Sequence, residues 1–365
     1  MTTWKVSDTA RKREALLAGL SKVRSATELF AMVSTRLRRY VPFEAAVWRA
    51  TDPTTGVMTA PVRVENLDRE GCIAYWSSEP LRENVNRWYD LVHSPCAAAA
   101  LRASAGEEAS RSALYRSYLE PRGFDDELRA VLRTGERPWG AVSLFRRRGH
   151  ERFGPRELGF VASLSNPIGE RLRALSISAA LSAPERAPVL PPGPGLLLFD
   201  ADGELVSANE SAKALLAELP SDTSSRTDLG LDLPAWLHGA ALWARQRDGG
   251  TWARVRARSG RWLVCHASCL RGAGGAFGPT AVVLEPAKIS ELALLIGEAH
   301  GLSARELEVA HAIVGGLRTR EIAEQLLIST HTVRDHIKAI LRKVGARSRG
   351  ELVATLFQTE SLSGG

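Results

Sequence analysis

LSARELEVAHAIVGGLRTREIAEQLLISTHTVRDHIKAILRKVGARSRGELVATL, residues 302–356, holds the densest run of local folding signals in this chain. Ser303 is followed three residues later by Glu306. At that spacing the two side chains can satisfy each other's free backbone amides at the start of a helix. Gly315 and Gly316 end the helix, because glycine adopts the left-handed conformation of a helix C-terminus at no steric cost. The stretch therefore begins with one short helix that stops abruptly.

Further helices follow closely. Thr319 is a capping residue for a short second helix, and Ser329 or Thr330 caps a third. Apolar residues of the third helix recur at helical spacing and form one buried face: Val333, Ile337, Ile340, Leu341 and Val344. Gly345 ends this helix, and a fourth covers 348–358. Short helix, tight turn and longer helix together predict a helix-turn-helix, which can present its third helix to the DNA major groove.

The outward face of the third helix is basic. Within 330–345 one acid, Asp335, stands among four bases: Arg334, Lys338, Arg342 and Lys343. A solvated face on a structural helix is the simpler explanation of such a stripe, but its place in a helix-turn-helix favours a DNA surface. Asp335 leaves two interpretations open. It can pair with His331 or Arg342 at the surface, or it can accept a hydrogen bond from cytosine N4.

The same segment closely resembles the DNA-binding domain of LuxR-type (NarL/FixJ-like) bacterial transcription regulators, through LSARELEV, GLRTREIAEQLLIS, THTVRDHIKAILRKVG and SRGELVA. The resemblance implies an all-α four-helix domain that binds double-stranded DNA. It implies base contacts by three residues: Arg334, Asp335 and Lys338. It implies phosphate contact, or support of the third helix, by seven others: Thr319, Thr330, Thr332, Val333, His336, Arg342 and Lys343.

The resemblance also implies partners. Similar proteins usually act as homodimers on near-palindromic sites, often through the fourth helix, and RNA polymerase is a further candidate partner. The chain departs from the family at Thr319, where Asn is frequent, and at Asp335, where a neutral or basic residue is frequent. The second departure bears on which DNA sequence is read.

Composition sets broader limits. The 365 residues include 48 basic and 41 acidic side chains, a formal charge of +7, and predict two or three domains. This charge is compatible with a polyanionic partner without requiring one. No nucleophile-base set, phosphate-binding loop or metal motif is apparent, which argues against an enzyme and against a bound cofactor. The absence of an apolar signal core or a long apolar run predicts a cytoplasmic protein with no membrane partner.

The prolines of SAPERAPVLPPGPG, residues 182–195, predict an extended linker near the middle of the chain. Residues 1–181, with an N-terminal helix, resemble an α+β GAF domain through DDELRAVLRT, RPWGAVSLFR and FGPRELGFVASL. Residues 196–286 resemble an α+β PAS domain through LLLFDADGELVSANESAKALL, GRWLVCHASCL and AVVLEP. Both families are sensor folds, and no internal sequence repeat is visible. The remaining predicted segments are a connector at 287–298, the LuxR-type domain at 299–360 and a disordered tail at 361–365.

Aromatic and sulfur-containing residues of the PAS-like part suggest two kinds of site. Four residues are candidates for lining a small-molecule pocket, although plain aromatic core is the alternative: Trp236, Trp243, Trp262 and His266. Cys265, His266 and Cys269 look like metal ligands. In a strand, however, the two cysteines face one way and the histidine the other, and no second cluster completes a tetrahedral site. No metal site is predicted.

Together with these patterns, the resemblances imply a cytoplasmic transcription regulator that reads the major groove with helix 330–345, as a dimer, under the control of N-terminal sensor domains. An unidentified small molecule is a candidate ligand of those domains. The alternative function is a ligand-binding or protein-binding sensor. In that case the C-terminal helical domain serves interaction or dimerisation and does not read DNA sequence.

Overall fold

The structure is a computed structural model. The ranges that it describes are 6–67, 75, 85–181, 193–220, 223–246, 249–272 and 275–357. The chain forms two compact units, of which the larger contains both main β-sheets. The smaller contains Pro286–Gly365 with two short segments, Arg173–Ala187 and Ser259–Trp262. The predicted linker, apart from 193–195, and the predicted tail lie outside the described residues.

The strands of the first β-sheet alternate along the chain with helices. The helices and strands of this part are α1 Val6–Leu17, α2 Ala26–Leu37, β1 Ala45–Thr51, β2 Met58–Glu65, α3 Trp88–His93, β3 Ala98–Ala100, α4 Leu101–Ala105, β4 Phe124–Thr134, β5 Arg137–Arg147 and α5 Pro155–Leu181. The strand order is β2-β1-β5-β4-β3, and neighbouring strands are antiparallel. β5 is buried along almost its whole length, because it has a strand on each side and helices against the sheet.

Helix α5 packs tightly against β4. A Cβ atom at Gly169 would lie 2.8 Å from the backbone of Arg133, so only glycine permits this approach. Ser165 Oγ donates to the Val131 carbonyl at 2.6 Å. Pro167 lies inside the helix and has no amide to donate to Ser163. The carbonyl of Ser163 instead accepts from Arg13 Nε of α1 at 3.2 Å, which ties α1 to α5.

The second β-sheet follows the linker region. Its part of the chain contains β6 Gly195–Phe199, β7 Leu205–Ala208, α6 Glu210–Glu218, β8 Ser224–Arg226, β9 Asp232–Pro234, α7 Ala235–Arg245, β10 Thr251–Arg256, β11 Trp262–Arg271 and β12 Phe277–Pro286. The strand order of the main sheet is β10-β11-β12-β6-β7. Asn209 caps α6, its side-chain oxygen accepting from the Ala212 amide at 2.8 Å.

The two sheets share one topology. When the strands of each sheet are numbered along the chain, both sheets have the order 2-1-5-4-3. In both, helices separate the second strand from the third. The chain thus contains a structural repeat that is not visible as a sequence repeat. Strand order fixes how the segments are arranged but not which residues they contain, so unrelated sequences can share it.

The C-terminal part is entirely helical in its described residues. The helices are α8 Ile289–Ala299, α9 Ala304–Val314, α10 Thr319–Gln325, α11 Thr330–Val344 and α12 Arg349–Phe357. α9 and α10 both pack against α11, so α11 is the central helix of this unit. The predicted four-helix arrangement is therefore present, and α8 precedes it within the predicted connector.

Candidate nucleic-acid interface

The first helix of the motif begins as its sequence predicts. Ser303 Oγ accepts from the Glu306 amide at 3.3 Å, and Glu306 Oε2 accepts from the Ser303 amide at 2.6 Å. This reciprocal capping box satisfies two amides that the helix itself leaves free. The helix ends at Val314, and Gly316 adopts φ +82° as the turn begins.

The second helix starts one residue earlier than predicted. Arg318, not Thr319, occupies the N-cap position, and its amide donates to Glu321 Oε2 at 2.5 Å. Thr319 is the first helical residue, so the prediction that it caps α10 is wrong. The physical reason is that Glu321, three residues into the helix, reaches back to the Arg318 amide and determines the start.

Ser329 caps α11, which decides between the two predicted residues. Its Oγ accepts from the Thr332 amide at 3.0 Å and lies 2.8 Å from Thr332 Oγ1. Thr330 is the first residue of the helix and is exposed. Gly345 ends the helix with φ +79°, as predicted. The N-terminal turn of α11 is therefore held by a hydroxyl network on its own surface.

One face of α11 is anchored in the domain core. Val333 and Ile340 are fully buried and Val344 is nearly so, whereas Ile337 and Leu341 are half-buried. His336 is also half-buried. Val333 thus supports the helix and does not reach an outside partner.

The opposite face of α11 projects four charged residues into solvent: Arg334, Asp335, Lys338 and Arg342. Within the described parts of the chain, the three cations make no hydrogen bond or ion pair. Asp335 Oδ2 lies 3.1 Å from His331 Nδ1 one turn earlier, so the predicted surface pairing with His331 is present. Both partners are more than half exposed, at 84% and 56%, which makes such a pair weak and exchangeable.

Lys343 differs from the other cations of the helix. Its Nζ lies 2.6 Å from Glu306 Oε2 and donates to the Gly301 carbonyl at 3.2 Å. Burial raises the pKa of Glu306, but the Lys343 ammonium and the Ser303 amide together hold it below its ordinary value. Of the two roles that the resemblance left open for Lys343, this geometry favours support of α11 over contact with phosphate.

Two further arginines also have structural contacts. Arg305 of α9 donates to the Leu326 carbonyl at 2.6 Å, at the end of α10. Arg349 of α12 donates to the Leu317 carbonyl in the preceding turn. These contacts hold both turns of the motif, and sequence analysis missed them because a carbonyl acceptor carries no residue-specific signal.

The structure places the four residues of the predicted ligand pocket in different surroundings. Trp236 is 1% exposed in the same core cluster as Cys265. His266 is the next residue along β11, so its side chain points to the other face, where it is 42% exposed and 3.9 Å from Glu285. Trp236 and His266 therefore cannot line one cavity. Trp262 is half-buried, and Trp243 lines a separate cleft of about 10 Å³, which is room for about one water molecule.

A buried polar cluster lies instead on the first sheet. Tyr75 Oη donates to Glu127 Oε1 at 2.8 Å and lies 2.6 Å from Ser143 Oγ. Arg129 Nε donates to the same Glu127 oxygen at 2.9 Å, and its guanidinium lies 5.1 Å from the Trp88 ring centre. Sequence analysis missed this cluster, because its members come from four separate segments.

The cysteines offer no metal site in the described residues. Burial raises the pKa of the Cys265 thiol to about 12, so it stays protonated and is a poor metal ligand. No group of three or more His, Cys, Asp or Glu side chains is placed to hold a metal ion where the structure describes the chain. Across the same residues, no helix combines the length and apolar character needed to cross a membrane.

Comparison with known proteins agrees with this geometry. The profile of the family "Bacterial regulatory proteins, luxR family" matches residues 300–356. The spore germination protein GerE of Bacillus subtilis is 39% identical over 61 residues, which are 17% of this chain and 82% of GerE. The nitrate/nitrite response regulator protein NarP of Escherichia coli is 48% identical over 48 residues, 13% of this chain and 22% of NarP. Escherichia coli SdiA aligns over 96% of this chain and 98% of its own, but with 11% identity and a TM-score of only 0.37.

The C-terminal unit is thus a helix-turn-helix domain of the kind found in bacterial regulators. The chain belongs to the luxR family of bacterial regulatory proteins. The match spans less than a quarter of NarP, so it describes this domain and not the remainder of the chain. The family consists of regulators and not of enzymes, in agreement with the sequence-based prediction.

Proposed function

We propose that this protein is a transcription regulator that reads the major groove of double-stranded DNA with α11. The observation that carries the proposal is the division of charge on this helix. Arg334 and Lys338 project from an exposed face and have no partner in the described chain, while Val333 and Ile340 bury the opposite face. A helix anchored in this way can enter a major groove without losing its packing.

The exposed residues have distinct roles in this proposal. Arg334 and Lys338 donate to base edges, and Arg342, nearer the end of the helix, contacts phosphate. Asp335 repels phosphate but can accept a hydrogen bond from cytosine N4. It therefore lowers the overall affinity for DNA and raises the selectivity for one base. Phosphate contacts near the start of the motif come from three residues: Thr319, Thr330 and His336.

The protein acts as a homodimer in this proposal. A two-fold pair of helix-turn-helix domains places two α11 helices in successive major grooves, so its half-sites lie about one helical turn apart. The resemblance assigns the dimer contact to the fourth helix, α12. RNA polymerase is a further proposed partner.

The remaining chain serves as a sensor in this proposal, with residues 1–181 as the GAF-like part and 196–286 as the PAS-like part. Residues 182–195 link them, 287–298 connect them to the DNA-binding domain at 299–360, and 361–365 form a tail. An unidentified small molecule is the proposed ligand of these sensor-like parts.

The first test measures DNA binding by the full-length protein. A specific site is selected from random duplexes, and its affinity is compared with that of an unrelated duplex. Arg334→Ala and Lys338→Ala should each lose about 1–3 kcal/mol on the specific site and much less on the unrelated one. Lys213→Ala, which removes an exposed cation of the first unit, is the matched control and should change neither affinity. Unchanged binding by both α11 variants would refute the base-reading roles.

The same measurements at several salt concentrations distinguish the alternative function. If phosphates are engaged, counterion release makes the logarithm of the affinity fall steeply with the logarithm of salt concentration. An interaction module without DNA reading gives a flat dependence and no preferred sequence.

A further inference from the structure

The loop between β1 and β2, residues 52–57, joins the first sheet to the second. Asp52 is 2% exposed, although it belongs to a tight turn of a hairpin, where carboxylates are usually solvated. Its partner is Arg254 on β10, 202 residues later in the chain and also 2% exposed. Two ionised groups from different sheets are therefore buried together within one compact unit.

The pairing of Asp52 with Arg254 is bidentate. Arg254 Nε donates to Asp52 Oδ2 at 2.8 Å, and Arg254 Nη2 donates to Oδ1 at 2.9 Å. The Arg254 amide adds a third bond to Oδ2 at 3.0 Å, and the Thr54 amide donates to Oδ1 at 2.9 Å. Both carboxylate oxygens are thus fully used, which is the geometry that makes a buried ion pair tolerable.

Further contacts from the same loop strengthen the attachment. Thr54 Oγ1 accepts from Arg254 Nη2 at 2.6 Å, and Thr55 Oγ1 donates to the Trp252 carbonyl of β10 at 2.8 Å. Val57 is 4% exposed and belongs to the apolar core of the second sheet, not to that of its own. The loop therefore contributes a charge, hydroxyl groups and a core side chain to the second sheet.

These contacts imply a permanent attachment. If the sheets separated, Asp52 and Arg254 would each lose their partner, and Val57 would leave a gap in an apolar core. An interface between domains that associate reversibly is mostly polar and is solvated at its rim, unlike the buried contacts of this loop. The loop thus has the character of a domain interior.

We infer that the β1–β2 loop is a docking element that fixes the two sheets into one sensory body through the Asp52–Arg254 pair. The GAF-like and PAS-like parts then respond as a single body and not as two independent sensors. A ligand that shifts β1 or β2 acts on β10 directly, without a signal passing along the chain. This inference concerns the first unit alone and does not depend on DNA binding.

Hydrogen exchange in the full-length chain tests the inference. Deuterium uptake of peptides from each sheet is measured by mass spectrometry at increasing urea concentrations. The midpoint for each sheet is the urea concentration at which half of that sheet is unfolded. In the wild-type protein the two midpoints should coincide, because the sheets unfold as one cooperative unit. Separate wild-type midpoints would overturn the inference without any variant.

The decisive variant is Asp52→Asn, which keeps the side-chain shape but leaves the Arg254 charge buried without a counter-ion. Its two midpoints should separate. The matched control is Asp125→Asn, which breaks an Arg–Asp pair that lies wholly inside the first part, with Arg102 at 2.6 Å. In one cooperative body the control lowers both midpoints by the same amount, although its contact lies in one sheet.

A control that lowers only the first sheet's midpoint would contradict the inference, as would coincident midpoints in Asp52→Asn. If Asp52→Asn does not fold, Thr55→Val removes only the hydroxyl bond to Trp252. It should separate the midpoints by a smaller amount. Coincident midpoints in both the wild type and Thr55→Val would then place the coupling elsewhere and refute the role of the loop.

Discussion

At the scale of single residues, cations on one helix have different roles that residue type does not reveal. Lys343 is bound to Glu306, and Arg334 projects into solvent. A lysine within reach of a carboxylate at the start of another helix forms a charge-assisted hydrogen bond. That bond stabilises the folded domain. A cation on the far face of the same helix has no such partner in the described chain and is available to DNA.

Lys343→Met should lower the free energy of unfolding of the C-terminal domain by about 1–3 kcal/mol, because it leaves the Glu306 carboxylate short of a donor. Arg342→Met, one residue earlier and exposed, is the control and should change the stability by less than about 0.5 kcal/mol. Urea unfolding of the two variants and the wild type gives the comparison. Equal stability of both variants would contradict the structural role of Lys343.

The Lys343 contribution should also depend on pH. The pKa of Glu306 is lowered from its ordinary 4.5 in the folded protein, so the folded state binds this proton less readily than the unfolded chain. Stability from the pair is therefore complete above the unfolded pKa and disappears as the pH falls through the folded pKa. The difference between wild type and Lys343→Met should be constant near pH 7 and shrink below about pH 4. A difference that persists unchanged to pH 3 would argue against the charge pair.

At Asp335 the resemblance to LuxR-type regulators predicts a departure from the neutral or basic residue that is frequent there. Asp335→Asn should change the base preference at one position of the half-site. The difference in binding free energy between bases there should shift by about 1–3 kcal/mol, while affinity for unrelated DNA changes little. Selection from a random duplex library compares the two preferences. Glu324→Gln, an exposed acid on α10 paired with Arg320, controls for loss of negative charge. If Asp335→Asn alters every sequence equally, its role is limited to the surface pair with His331.

At the scale of elements, α5 shows how one unsuitable residue is accommodated. Pro167 removes a helical hydrogen bond from Ser163, and Arg13 of α1 supplies a donor in its place. The helix therefore continues through a residue that usually ends or bends one. Proline is favoured at the first position of a helix, where Pro155 lies. The passage of the helix through Pro167 leaves no local signal, because the compensating donor lies about 150 residues away.

Arg13→Met should cost about 0.5–1.5 kcal/mol of stability in the first unit, because a helix carbonyl loses its donor. Arg11→Met is the control on the same helix. Arg11 is 82% exposed, and its one ion pair among the described residues is a local one with Asp8, so its removal should cost less. Thermal unfolding of the full-length variants provides the measurement. A smaller loss for Arg13→Met than for Arg11→Met would contradict this account of α5.

At the scale of the whole molecule, tertiary contacts join the two main β-sheets. A proline-rich segment predicts separate GAF-like and PAS-like domains, yet both sheets belong to one compact unit. The buried Asp52–Arg254 pair joins the loop after β1 to β10 of the second sheet within that unit. Prolines specify that a segment cannot be helical, but they say nothing about whether the flanking sheets are in contact.

The helices of the DNA-binding motif follow from the sequence alone, because their signals are local. The capping box at Ser303 and Glu306 acts within one turn, as does the glycine stop at Gly345. Only the tertiary structure decides which charges are free and which are used. Lys343 meets Glu306 from another helix, and Asp52 meets Arg254 from another sheet. Such pairs depend on how segments that are far apart in the sequence pack together. No local sequence pattern indicates that the two charged side chains lie close together in the folded protein.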